Sequence, residues 1–189
     1  MTDGLIPRHK TALSRRHLSR PLRLALEHEL ICDRTTVFDY GCGKGSDVRF
    51  LAKQGVVCSG WDPVHQPNTP LESRDVVNLG YVINVIERAT ERAEVLQRAW
   101  ALAGTVLIVS ARLQLEELGQ DLVPHQDGFL TSRGTFQKCF AHAELRTLIE
   151  STLGHTSLAA APGIFYVFRD SRVHHACAVR QYRSRLTRS

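Results

Sequence analysis

The stretch from Thr35 to Ser46 constrains this chain more than any other. A run of β-branched and aromatic residues, Thr35–Tyr40, passes without a spacer into Gly41-Cys42-Gly43-Lys44-Gly45, and Ser46 follows where a helix cap is expected. A strand that turns through glycines into a helix is the opening unit of many α/β folds. The missing Cβ atoms also let the backbone turn tightly and approach a ligand closely. The helix that follows is expected to carry Val48, Leu51 and Ala52 inward and to close at Gly55.

The same alternation continues along the chain. Upstream, Ser19-Arg20-Pro21 opens a helix through Ile31, with Leu22, Ala25, Leu26 and Leu30 on one face. Downstream, Val56–Trp61 reads as a second strand ending on Asp62-Pro63, and 63–74, with three prolines and no periodicity, as loop. A third strand starts at Asp75 and changes character near Gly80. Thr90 is expected to cap a helix carrying Ala93, Leu96, Ala99 and Leu102 and closed by Gly104, before a fourth strand, Thr105–Ser110. Residues 111–134 form a polar excursion with a short helical piece at Leu113–Leu118. Phe136–Leu153 is expected to be helical and ended by Gly154, and Thr156–Ala160 and Ile164–Arg169 form a hairpin around Pro162-Gly163. This order predicts an α/β fold: a mostly parallel sheet, helices on both faces and a C-terminal antiparallel hairpin.

Composition removes several alternatives. With 189 residues, 43% hydrophobic and 23% charged, the chain can bury a full core, which excludes general disorder and disulfide-knit miniproteins. No apolar run approaches the roughly 20 residues that cross a bilayer, and a cytoplasmic protein without membrane contact is expected. Five cysteines with no C-x-x-C pair fit reduced thiols, and no metal site is expected. The net charge of +5 is uneven. Residues 1–34 carry seven Lys/Arg against four Asp/Glu, and 169–189 carry six Arg against Asp170 alone. The chain thus divides into a basic arm and helix (1–34), a core (35–170) and a basic tail (171–189). Basic ends either neutralise phosphates of a nucleic acid or serve only as solvated arms.

Ligands of such sheets bind beyond the carboxyl ends of the strands, and the chemically suggestive residues fall there. Asp39 stands two residues before the first glycine, suited to a cationic or amine-bearing ligand. Asp62 ends the next strand, where an acid accepts hydrogen bonds from ribose hydroxyls. The spacing D-x-G-x-G-x-G differs from the G-x-G-x-x-G that seats a dinucleotide pyrophosphate, and Asp39 would repel one. The cofactor-site residues are therefore Asp39, Tyr40, Gly41, Cys42, Gly43, Gly45, Trp61, Asp62, Asn78 and Leu79. Asn78-Leu79-Gly80-Tyr81 at the third strand end is either an acceptor site or a capped strand end with a packing Tyr. In the first case the segment resembles the strand end of amino-group methyltransferases acting on DNA, with Leu79 and Gly80 in place of two prolines. The resemblance implies that Asn78 holds a target nitrogen and Tyr81 stacks on a base. Arg133 and Lys138 in the excursion meet an anion or belong to a solvated loop leading to a cap at Thr135. The segment Ile6–Thr11 folds over the ligand, touches nucleic-acid backbone or lies in solvent.

The D-x-G-x-G-x-G loop with Asp62 resembles the first motif of class I S-adenosylmethionine-dependent methyltransferases. Several segments together resemble a narrower family, the DNA phosphorothioation-associated methyltransferases. They include IPRHKTALSR (6–15), VFDYGCGKGSDVRFL (37–51), GWDP (60–63), DVVNLGYVINVIE (75–87), VLIVSAR (106–112), DGFLTSRGTFQK (127–138) and APGIFYVFRD (161–170). The resemblance implies a Rossmann-like class I fold using S-adenosylmethionine, reduced after the second strand, where a further strand and helices are usual. It also implies DNA as substrate, with Asn78, Tyr81, Arg133 and Lys138 serving the acceptor, and a partner protein of a DNA-modification system. The rival expectations are a methyltransferase of RNA, protein or small molecules, and a non-catalytic cofactor-binding subunit.

Overall fold

The hydrophobic pattern of the strands decides the architecture. In the computed structural model, which describes residues 6–113 and 122–186, with side chains through Arg183, neighbouring strand residues go alternately to two cores. Strands β1 (Thr36–Tyr40), β2 (Val57–Trp61), β3 (Arg74–Gly80) and β4 (Ala103–Ser110) are parallel. Val37, Val76, Val106 and Ile108 face one side, and Phe38, Val77, Leu107 and Val109 the other. A sheet apolar on both faces must be covered on both. Helices α3 (Ala89–Leu102) and α4 (His142–Leu153) cover one face with Leu96, Ala99, Leu145 and Ile149. On the other lie α1 (Arg20–Glu27), α2 (Ser46–Lys53) and α5 (Ser171–Leu186), through Leu22, Ala25, Leu51 and Cys177.

Three short strands, β5 (Val123–His125), β6 (Gly128–Leu130) and β7 (Phe136–Gln137), make a separate antiparallel sheet. The hairpin β8 (Ser157–Ala161) and β9 (Ile164–Phe168) completes the main sheet, in the order β2-β1-β3-β4-β9-β8, with β9 antiparallel to β4. The expected α/β fold is present, and so is the reduction: 62–73 holds only an isolated bridge, Asp62 to Gln66, and β2 is an edge. Register aligns the strand ends that matter. Asp39 pairs with Gly60 and Asn78, and Gly80 with Ser110.

Several local expectations are corrected. Helix α1 stops at Glu27, because Glu29 takes a positive φ and the Leu30 and Ile31 amides fold back on Ala25 O. Thr90 lies within α3 and caps nothing, and α3 runs directly into β4, so Gly104 is a strand residue. Helix α2 buries Ser46, Asp47 and Leu51 while Ala52 is exposed, because Asp47 turns inward to accept the Ser19 amide. Phe136 is in a strand, and Thr135 is buried against the Thr131 hydroxyl rather than capping a helix. The helical piece expected over 113–118 falls, beyond Leu113, outside the described residues. Among the described residues of the basic ends, α1 packs on the sheet and α5 buries Cys177 and Gln181.

The small sheet is held to the main core by charge. Arg92, 2% exposed, donates to the Ile86 and Glu87 carbonyls and to both oxygens of Asp127 at 2.5 and 2.6 Å. Lys138 bridges Asp127 and Glu144 and lies over the Phe140 ring. Arg92→Leu would leave two carbonyls and Asp127 short of a donor. A loss of about 2–3 kcal/mol in urea denaturation is expected, with amide exchange accelerated first in 123–137.

Candidate functional site

The strand ends enclose a cavity of about 440 Å³, within the usual range for a small-molecule site. Its floor is the glycine loop. Gly41 and Gly43 have φ of +81° and +52°, a region that favours glycine. A Cβ on Gly41 would collide with Val82, and one on Gly43 would press on Ala12. Gly45, also left-handed, is the N-cap of α2. The loop is thus fixed from both sides by packing.

Asp39, 4% exposed, is the buried acid of the floor. Asn78 Nδ2 donates to its Oδ1 at 2.8 Å, while Asn78 Oδ1, equally buried, has no partner among the described residues. Burial, then the neighbouring Asp47, push the Asp39 carboxyl up to about 7, against the opposing effects of Asn78 and Arg15. Asp62 accepts from the amides of Gly43 (3.2 Å), Val64 (3.0 Å) and His65 (2.8 Å), tying β2 to the glycine loop. A carboxylate offers about four acceptor positions, so capacity remains for a ligand.

Tyr81 follows β3 with φ of +59°, strained for a side chain of its size, and Arg15 lies over its ring at 5.4 Å. Its amide donates to Ser110 O, so the β4 end holds the strained residue.

The roof comes from the N-terminus. Arg8, His9, Thr11, Ala12, Leu13 and Arg15 border the cavity. Arg8 is latched to Glu87 and, through both oxygens, to Glu91. Those bonds pull Glu91 down to about 2. The Arg15 amide donates to Ser46 Oγ at the other end of the segment. The segment therefore borders the cavity and is tied down at both ends rather than lying free in solvent.

Of the residues expected from sequence, Asp39, Tyr40, Gly41, Cys42, Gly43, Trp61, Asp62, Asn78 and Tyr81 border the cavity. Four do not. Gly45 borders a smaller depression beside β2, and Leu79 is fully buried in the core under α3. Arg133 is exposed in the turn between β6 and β7, where its amide donates to Thr131 Oγ1. Lys138, 7% exposed, is committed to Asp127 and Glu144. Neither Arg133 nor Lys138 borders the cavity. Asp47, Asn84, Arg112 and Gln137 border the cavity and were not anticipated. Asp47 lies one turn before Leu51 on the inner face of α2 and accepts the Ser19 amide. Gln137 lies within the 127–138 segment, next to Lys138. Among the described residues no cluster of metal-ligating side chains occurs, and no helix is long and apolar enough to cross a membrane.

No protein-family model matches the sequence, and no curated protein does. Solved structures do match in fold. Magnesium protoporphyrin IX methyltransferase from Synechocystis, with bound S-adenosylhomocysteine, is 16% identical with a TM-score of 0.51, covering 79% of this chain and 80% of its own. The sugar N-methyltransferase from Streptoalloteichus is 11% identical with a TM-score of 0.53, covering 86% of each chain. The 1,6-didemethyltoxoflavin-N1-methyltransferase from Burkholderia thailandensis is 16% identical with a TM-score of 0.52, covering 86% of this chain and 77% of its own. The fold is the Rossmann-like fold of these methyltransferases.

Two outcomes follow from the geometry. Arg8→Ala removes the latch, so trypsin should cut at Lys10, Arg15 or Arg16 at least several-fold faster than in the parent, as read by mass spectrometry. The second concerns pH. An acid whose folded pKa is raised stabilises the fold fully below its ordinary value near 3.8, and loses that contribution as pH rises towards 7. Asp39→Asn keeps an acceptor for Asn78 and removes the titration. It should match the parent in stability at pH 4 and exceed it by about 2–4 kcal/mol at pH 8 in urea melts.

Proposed function

We propose that this chain is an S-adenosylmethionine-dependent methyltransferase that acts on DNA. The observation that carries the cofactor reading is the buried Asp39–Asn78 pair with an unsatisfied Asn78 oxygen beside the glycine loop. Two acceptors at that point, with Asp47 close by, call for a cationic donor such as the ammonium of an amino acid moiety. A pyrophosphate would meet three carboxylates, which weighs against a dinucleotide. The fit extends outward: Gly41 and Gly43 border the cavity, and Asp62 retains capacity for a ribose hydroxyl. The cofactor supplies a methyl group already activated on sulfur, so the protein's work is chiefly positioning and exclusion of water. The roof formed by 8–15 excludes water. Tyr81, held in its strained conformation, aligns the acceptor beside Asn78.

DNA as the acceptor rests on the family resemblance and on charge. Lys10, Arg15, Arg16 and Arg20 are exposed around the roof, where they would meet phosphates. The phosphorothioate association and a partner protein of such a system belong to the same reading. A second reading, a small-molecule acceptor, is favoured by one observation: the roof covers the cavity.

Two measurements test this. Asp62→Ala should weaken S-adenosylhomocysteine binding about tenfold in calorimetry, and unchanged affinity would remove Asp62 from the ribose site. Radiolabelled S-adenosylmethionine offered with phosphorothioated DNA, ordinary DNA, RNA and small amines should label DNA. Label in another acceptor would redirect the substrate. Cofactor binding without transfer to any acceptor would favour a non-catalytic subunit.

A further inference from the structure

Asn84 and Gln137 have no part in the cofactor reading, yet both border the cavity. Asn84 lies in the turn Ile83–Val85, three residues beyond Tyr81, and is 3% exposed. Its Nδ2 donates to Gln137 Oε1 at 3.1 Å, and its Oδ1 has no partner among the described residues. Gln137 arrives from β7, and the Lys138 amide donates to Asn84 O at 2.7 Å, so the two elements are locked together. Behind them stands the Arg92–Asp127–Lys138–Glu144 cluster. Gly128 completes the clamp, since a Cβ there would strike Gln137 O and the Phe136 ring.

A buried amide oxygen left without a donor is costly unless a ligand satisfies it. The bonded pair leaves one carbonyl oxygen, on Asn84, without a donor, and the amide NH₂ of Gln137 belongs to the same cavity wall. An acceptor and a donor on one wall can complement the donor–acceptor edge of a planar heterocycle, as carboxamides do when they read bases. The nearby walls are Tyr81 and the aliphatic Val85, Ile86 and Val95, which suit the faces of a ring better than a polyhydroxylated sugar.

We propose that Asn84 and Gln137 form the acceptor-recognition subsite and read the hydrogen-bonding edge of a nucleobase or like heterocycle. The subsite rests on the methyltransferase reading and narrows it: the acceptor is a planar ring with adjoining donor and acceptor atoms. Lys138 is thereby a positioning residue that holds Gln137 from behind.

The test uses the full chain saturated with S-adenosylhomocysteine, titrated with thymidine and with N3-methylthymidine, which lacks the ring donor. Pyrimidine nucleosides avoid competition for the cofactor's adenine. By ligand-observed NMR the parent should bind thymidine about tenfold more tightly than the methylated analogue, the worth of one hydrogen bond left unmade. In Asn84→Leu, which removes the acceptor that the ring N3–H meets, that ratio should fall to about one, which a merely structural role for Asn84 would not produce. Asn84→Ala, which removes the amide without adding bulk, serves if leucine prevents folding. A parent that does not distinguish the two nucleosides, or variants that keep the ratio, would overturn the subsite. Failure of S-adenosylhomocysteine to bind the parent at all would overturn the cofactor reading and this inference with it. Binding of the cofactor product with no discrimination overturns this inference alone.

Discussion

The hydrogen bond from Asn78 to Asp39 ties the site to the fold. The two residues are register partners on β1 and β3, so the bond forms only if the parallel sheet pairs as it does. It sits where β1 turns into the glycine loop and β3 turns towards Tyr81. A carboxylate this deep is held near neutrality by desolvation and by Asp47, and Asn78 supplies the compensating donor. The arrangement costs stability in the absence of a cation, and such local cost at a strand end is characteristic of a binding site.

Around this bond the molecule is built in two halves. The glycine loop, Asp62 and the N-terminal segment form one wall and the roof, latched by Arg8 on Glu87 and Glu91. The 81–85 turn and the β5–β7 sheet form the other, pinned by the Arg92 and Lys138 ion pairs. Both charge clusters act on α3 or its approach, so this helix carries the anchors of roof and wall alike. Of the charge that looked in sequence like an anionic-ligand site, Lys138 is paired with Asp127 and Glu144. Its effect on a ligand passes through the position of Gln137.

Much of this was legible in one dimension. The strand–glycine–helix unit, the acids at 39 and 62, the aromatic at 81 and the missing strand after β2 depend on local chemistry: φ signs, strand ends and turn residues. Residue type alone cannot say whether a cation faces a ligand or a carboxylate of the protein itself, and Lys138 lies off the cavity, on Asp127 and Glu144. Asp47 stands one turn before the inward Leu51, so its face was legible, but only the Ser19 amide, 28 positions away, explains how an acid is accommodated there. Asn84 carries no signal beyond being a polar residue in an apolar stretch.

The sequence by itself determined the alternating elements, the two-faced apolar strands and the ligand edge, since these follow from periodicity and backbone sterics within a few residues. The tertiary structure alone decided which polar groups meet. It placed the N-terminal segment as a roof, packed α1 and α5 on one face of the sheet, and set Gln137 beside Asn84. Those outcomes depend on contacts between residues as far apart as 8 and 91, or 84 and 137. Burial there sets the energy of each polar atom, and burial is a property of the folded whole.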